Sequence, residues 1–188
     1  METKLVIFSG LPGTGKTMLA TRLACELCWP LLAIDDVIGD VPENPGVEFW
    51  DSKVAILLDL IKTQLELGVS VVADSVFMNK DRNYAQELAR RQQARFLPVY
   101  VFVSDDAVWK ERVMTRYAES KKSNVATWEQ IERQRDHFHT WEPGTALFID
   151  SMDSFDRNYE SVLNFVTKDD VYVEPLPDRP LLRGKYHA

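Results

Sequence analysis

The stretch Ser9-Gly10-Leu11-Pro12-Gly13-Thr14-Gly15-Lys16-Thr17 follows directly on an apolar run, Leu5-Val6-Ile7-Phe8. A glycine-rich loop can take backbone conformations that a side chain would block, so that successive N–H groups point into one anion-sized hollow. A helix starting at the end of the loop adds its positive dipole end. Gly10, Gly15, Lys16 and Thr17 stand at the G-x-x-x-x-G-K-[ST] spacing, in which the lysine reaches the β- and γ-phosphates and the hydroxyl coordinates Mg²⁺. ATP and Mg²⁺ are therefore the expected ligands. Gly10, Leu11, Pro12, Gly13, Thr14, Gly15, Lys16 and Thr17 are expected to bind the nucleotide, and Thr17 to reach the metal.

Acidic residues then recur at the ends of apolar runs: Asp35-Asp36, Asp74 and Asp150. In an open parallel sheet, ligands collect beyond the carboxyl ends of the strands. Val71-Val72-Ala73-Asp74 reads as a Walker B strand whose aspartate binds Mg²⁺ directly or through water; the alternative is an aspartate that caps a turn with Ser75. An ATPase has less use for Asp35 and Asp36, whereas a phosphoryl-transfer enzyme uses a carboxylate to orient the attacking hydroxyl and accept its proton. Asp35 is the favoured base, with Asp36 second, against the alternative of a capping pair for a short helical turn.

Arg112 and Arg116 fall one helical turn apart, just before a polar segment containing Lys121 and Lys122. Arginines so placed suit a lid, around residues 112–128, that neutralises charge developing on the transferring phosphate and excludes water. A solvated basic face is the alternative. Lys16, Asp35, Arg112 and Arg116 form the expected catalytic set, with Thr17 and Asp74 on the metal. Arg133-Gln134-Arg135 reads as solvated surface, and His137, Phe138, His139 and Trp141 as packing beneath the lid. Phe49 and Trp50 read as core.

Positioning these residues calls for alternating strands and helices, and the hydrophobic pattern supplies them. Strands are expected at Leu5–Phe8, Leu31–Ile34, Val69–Ala73, Phe96–Val103 and Ala146–Ile149. Helices are expected from Lys16 to Cys28, along the face of Trp50, Val54, Leu57, Leu58, Ile61 and Leu65 up to Gly68, from a cap at Asn79 or Asp81 to Gln93, after Ser104-Asp105-Asp106, over Thr127–His139 and over Phe155–Val166. Residues 39–46 form a turn-rich loop. The domain spans 1–168, and 169–188, with Pro175, Pro177 and Pro180, is an extended tail.

At 188 residues the chain can bury a full core. Its net charge of −7 disfavours broad, charge-driven binding to nucleic acid. The polar start and the lack of any apolar run near ~20 residues lead to the expectation of a cytoplasmic protein without a membrane partner. Cys25 and Cys28 sit late in a helix, where no dipole lowers a thiol pKa, and His137 and His139 complement them poorly for zinc. They read as reduced structural cysteines.

Together GLPGTGKT, the strand ending in Asp35-Asp36, the VVADS at Asp74 and the arginine-bearing lid resemble the small P-loop kinases. The pattern is most similar to the polynucleotide-kinase-like, zeta-toxin and chloramphenicol-phosphotransferase group, with an AAA-type ATP-binding domain, over roughly residues 4–166. The resemblance implies an α/β P-loop NTPase fold: three layers, a five-stranded parallel sheet of order 2-3-1-4-5, helices on both faces and a lid. It also implies that Asp35 corresponds to the general base of the polynucleotide 5′-hydroxyl kinases, Asp74-Ser75 to their Asp-Thr/Ser pair, and Arg116 to their lid arginine. Those kinases carry an arginine three residues after the base, where this chain has Ile38. The expected activity is transfer of the γ-phosphoryl group of ATP to a hydroxyl of a small-molecule acceptor. The alternatives are a polynucleotide 5′-hydroxyl kinase and an ATPase or nucleotide-dependent switch acting on a protein partner.

Overall fold

Strict alternation in the central strand decides how the layers form. In Lys4–Ser9 (β1), Val6 and Phe8 face one side of the sheet and Leu5 and Ile7 the other, all of them fully buried. A strand apolar on both faces needs cover on both, and helices supply it. The computed structural model describes residues 2–37, 49–120 and 125–168. The remaining strands are Leu31–Ala33 (β2), Val71–Asp74 (β3), Arg95–Phe102 (β4) and Leu147–Asp150 (β5). All pairs are parallel, in the order β2-β3-β1-β4-β5. The expected fold and strand order are therefore the observed ones.

The helices are Lys16–Leu27 (α1), Ile34–Val37 (α2), Phe49–Glu66 (α3), Asn79–Arg91 (α4), Asp106–Glu119 (α5), Trp128–Arg135 (α6) and Phe155–Thr167 (α7). Leu19 and Leu23 of α1 pack with Val162 and Phe165 of α7 over Val6 and Phe8. Leu57 and Ile61 of α3 pack with Ala85 and Ala89 of α4 over Leu5 and Ile7. A third cluster joins Trp109 and Val113 of α5 to Trp128 and Ile131 of α6, and includes Leu11 of the glycine loop. Helices α5 and α6 are thus packed onto the loop by an apolar core of their own.

Local chemistry sets the helix ends. The Asp105 carboxylate accepts from the backbone N–H groups of Ala107 and Val108, and the Thr127 hydroxyl from that of Gln130. At the end of α1, Cys28 turns left-handed and Trp29 N–H closes on the Ala24 carbonyl at 3.0 Å, just before Pro30. Gly68, at φ +75°, follows α3.

Several bounds move. Ile34 leaves β2 for α2, so the helical turn weighed as the alternative for Asp35-Asp36 does form. Neither Asn79 nor Asp81 is the N-cap of α4; Met78 is, with Asp81 accepting from its backbone N–H at 3.0 Å. Helix α6 stops at Arg135, short of His139. Cys25 and Cys28 are free and exposed; among the described residues no three His, Cys, Asp or Glu side chains cluster to hold a metal. The loop 39–46, Lys121, Lys122 and the tail from 169 lie outside the described residues, as do the side chains of Asp36, Phe49 and Trp50. Among the described residues no helix is long and apolar enough to cross a membrane.

Candidate active site

The glycine loop links the end of β1 to α1 and is held by contacts from every side. The Trp109 indole N–H donates to the Pro12 carbonyl at 2.9 Å, and the Thr14 hydroxyl to that of Leu11 at 3.0 Å. At its root, Gly10 N–H donates to the Val76 carbonyl at 3.3 Å and Ser9 Oγ accepts from the Trp141 indole at 2.6 Å. Gly10 has φ +138°, and a Cβ there would lie 2.2 Å from the Val101 carbonyl oxygen. Gly13 has φ +82°, and a Cβ would meet Val113 Cγ2 at 2.6 Å. A side chain at Gly10 meets backbone, which cannot step aside. Gly10→Ala is accordingly expected to lower unfolding free energy by about 2–4 kcal/mol, from overpacking plus left-handed strain, as read by urea denaturation.

Lys16 is buried, and its Nζ donates to the Leu11 carbonyl at 3.1 Å. Burial pushes the ammonium below its ordinary value; Asp74 and then Asp35 oppose that, and Arg116 adds to it. Those effects identify the electrostatic neighbours of Lys16 as the acids and arginine that the sequence singled out. Thr17 Oγ1 donates to Asp74 Oδ2 at 2.6 Å. Asp74 thus turns one carboxylate oxygen toward the loop. Hard oxygen donors from a hydroxyl and a carboxylate, meeting at the mouth of a phosphate-sized loop, fit Mg²⁺.

Lys16, Thr17, Asp35, Asp74 and Arg116 all line one cavity of about 250 Å³. Its wall also includes Ser75, Ile34, Val76, Val113, Val125, Ala126, Ile131 and Gln134. Arg112 lies elsewhere. It lines an adjoining cavity of about 590 Å³ with Gly15, Met18, Ser151 and Phe155, and donates to Ser151 Oγ at 2.8 Å and to its carbonyl at 3.3 Å. Arg116 and the Lys16–Thr17 step face both cavities. Of the two arginines one turn apart, Arg116 therefore borders both cavities, whereas Arg112 borders the second and not the first.

Asp150 is not part of this set. Its Oδ1 accepts from the backbone N–H groups of Ser104 and Met152, at 3.2 and 3.0 Å, which makes it a turn cap. Arg135 is not merely solvated: it donates to Asp106 Oδ2 at 3.0 Å and lies 5.5 Å from the Trp109 ring centre, tying α6 to the start of α5. Of the segment after α6, Phe138 and Trp141 pack, around a cation that the sequence did not reveal, whereas His137 and His139 are exposed, against the expected packing. Arg82 is sandwiched between Phe138 and Trp141, at 4.6 and 4.7 Å from the ring centres. Its Nε donates to the Phe77 carbonyl at 2.9 Å, and burial pulls the guanidinium down to about 10, still charged at neutral pH. Ser151, Gln134 and the Trp109–Pro12 contact also escaped sequence reasoning. For Trp109 the only signal was an indole on the inner face of the helix that carries the arginines.

A family model described as an AAA domain matches residues 5–140. No curated relative matches the sequence. Among solved structures the chain is similar to Kti12 of Chaetomium thermophilum in complex with ADP-AlF3, with a TM-score of 0.69 at 16% identity over 87% of this chain and 100% of that one. It is similar to a sugar kinase of Janibacter sp. at 0.66 and 18%, over 87% and 94%. A gluconokinase of Sinorhizobium meliloti follows at 0.64 and 16%, over 87% and 91%. At these identities the likeness is one of fold.

Proposed function

The chain belongs to the AAA-domain family of P-loop proteins, and from that premise we propose that it is an ATP-dependent kinase that transfers the γ-phosphoryl group to a hydroxyl of a small-molecule acceptor. The observation that carries this reading is the single cavity in which Asp35 and Arg116 join Lys16, Thr17 and Asp74. A nucleotide switch has less need of a second carboxylate there, whereas a transfer enzyme uses one to take the acceptor's proton.

In this reading the backbone N–H groups of the loop and the Lys16 ammonium hold the phosphates. Thr17 and Asp74 would hold Mg²⁺, which when bound neutralises charge on the phosphate oxygens. Arg116 sits between the two cavities, where it can pair with the phosphoryl group as its bond to ADP loosens. Asp35 accepts the acceptor's hydroxyl proton while that oxygen forms its bond to the γ-phosphorus and ADP leaves with the bridging oxygen. Arg112, anchored on Ser151, covers the nucleotide side. Val113 and Ile131 exclude water that would otherwise compete with the acceptor.

The metal assignment has its own test. Asp74→Asn is expected to raise the Mg²⁺ concentration needed for half-maximal turnover by about tenfold or more, measured by metal titration at saturating ATP. The reaction itself is tested by incubating the protein with ATP and a metabolite mixture. Gain of one phosphoryl group by a small hydroxyl compound is the expected mass-spectrometric result. Labelling confined to oligonucleotide 5′ ends would overturn the small acceptor.

A further inference from the structure

We infer that Arg82 and Trp141, neither of which lines the two cavities at the phosphate loop, are positioning residues that fix the geometry of that loop through Ser9. A closed circuit of contacts surrounds the root of the loop. Gly10 N–H donates to the Val76 carbonyl at 3.3 Å. The next carbonyl, that of Phe77, accepts from Arg82 Nε at 2.9 Å. The Arg82 guanidinium lies 4.7 Å from the Trp141 ring centre, and the Trp141 indole N–H donates to Ser9 Oγ at 2.6 Å. Ser9 precedes Gly10, so the circuit closes. The root of the loop is thereby tied to the chain past β3, to α4 and to the segment after α6.

Burial makes each tie consequential. Ser9 is fully buried, so bulk water cannot replace the indole as partner of its hydroxyl. Val76, Phe77 and Arg82 are buried as well. Phe77 has φ +48°, a left-handed backbone that a bulky residue adopts only where its surroundings over-determine it. Arg82 holds its carbonyl, and its ring packs in the cluster of Leu57 and Ile61. Phe138 grips Arg82 from a second side, at 4.6 Å, and itself stacks on Tyr100 of β4 at 5.8 Å. The two rings attract the cation and steady the indole that reaches Ser9.

The loop needs this support because of its own sequence. Gly10, at φ +138°, is the residue with the most backbone freedom, and the phosphate-binding N–H groups and Lys16 come after it. Rigidity at the root must come from its neighbours, and the crest is held separately by the Trp109 indole on the Pro12 carbonyl at 2.9 Å. Phosphate contacts demand placement to a fraction of an ångström. A loop freed at its root must be ordered when nucleotide binds, at a loss of affinity.

The test is equilibrium binding of a non-hydrolysable ATP analogue with Mg²⁺ to the full chain, beside urea denaturation of the same variants. Trp141→Phe keeps a ring against Arg82 but has no N–H to give, and Ser9→Ala removes the acceptor. Each is expected to raise Kd about tenfold and to lower the urea midpoint, because each leaves one buried polar group unpaired. The double variant separates positioning from mere stability. With both polar groups gone its urea midpoint should recover toward the parent, while Kd stays near that of either single variant, the tie still being absent. Arg82→Met, which keeps length but not the bond to Phe77, should also raise Kd about tenfold, with no further rise when combined with Trp141→Phe. Unchanged Kd in these single variants would overturn the inference. So would losses that multiply in either double variant, Kd that recovers together with stability, or no binding by the parent. No phosphoryl transfer is measured, so the outcome is independent of the kinase reading.

Discussion

Lys16→Met is expected to cut phosphoryl transfer by about a thousandfold or more while leaving the melting temperature unchanged or raised. Both halves follow from one location. The ammonium is buried beneath the glycine loop, with the Leu11 carbonyl as a hydrogen-bond acceptor and the acids Asp74 and Asp35 nearby. Held there, it can neutralise phosphate charge without reorganisation, the kind of preorganised contribution that is large in a dry site. Its cost to the folded state is equally clear, because burial holds its pKa below the ordinary value of 10.5. The folded protein then binds the proton less tightly than the unfolded chain does. Stability from this group therefore rises as pH climbs from the lowered value toward 10.5, and the deficit is full below that window. Methionine fills similar volume with no charge, so the stability difference between variant and parent should shrink across the alkaline range. Chemical denaturation at several pH values reads that trend, and a coupled ATP assay reads the loss of turnover.

Asp35→Asn is expected to cost a factor of about 10²–10⁴ in transfer with ATP affinity changed less than about threefold. The two effects separate because Asp35, on α2, lines the 250 Å³ compartment but not the 590 Å³ one. Asparagine keeps the shape and can still hydrogen bond to the acceptor hydroxyl, but it cannot take the proton. Steady-state turnover and equilibrium binding of a fluorescent ATP analogue, measured on the same preparation, give both numbers. Unchanged turnover would remove Asp35 from the base role.

How far the sequence reaches is best seen in two similar-looking stretches. Val72-Ala73-Asp74-Ser75 and Phe148-Ile149-Asp150-Ser151 both end a buried strand in Asp-Ser, and sequence pattern alone places both acids at the ligand edge of the sheet. Their fates differ because of topology. Strand β3 lies beside β1, with Asp74 in register with Phe8 at the root of the loop, so its carboxylate meets Thr17. Strand β5 lies at the sheet edge beyond β4, and Asp150 instead receives the backbone N–H groups of Ser104, just past β4, and of Met152. The glycine loop and the strand order were legible because each rests on short-range spacing or on a shared fold.

What was not legible depends on contacts far apart in the chain. The Trp109 indole and the Pro12 carbonyl are 97 residues apart, and Arg112 reaches Ser151 across 39. Helix α6 ends at Arg135, although the polar pattern runs on, because Phe138 leaves to stack on Tyr100 and to cover Arg82. Arg82 itself looks like any other arginine of an amphipathic helix until the sandwich closes over it. Residue type said that these side chains could do such things; only the packing says which of them do.

The central claim, that the phosphoryl group goes to an alcohol and not to water, is tested most directly by the fate of γ-labelled ATP in a single turnover. With the acceptor alcohol present at saturation, the label should appear in an organic phosphate ester faster than in inorganic phosphate, and Asp35→Asn should abolish the ester. Release of all the label as inorganic phosphate, at a rate that no alcohol alters and that survives Asp35→Asn, would contradict the account.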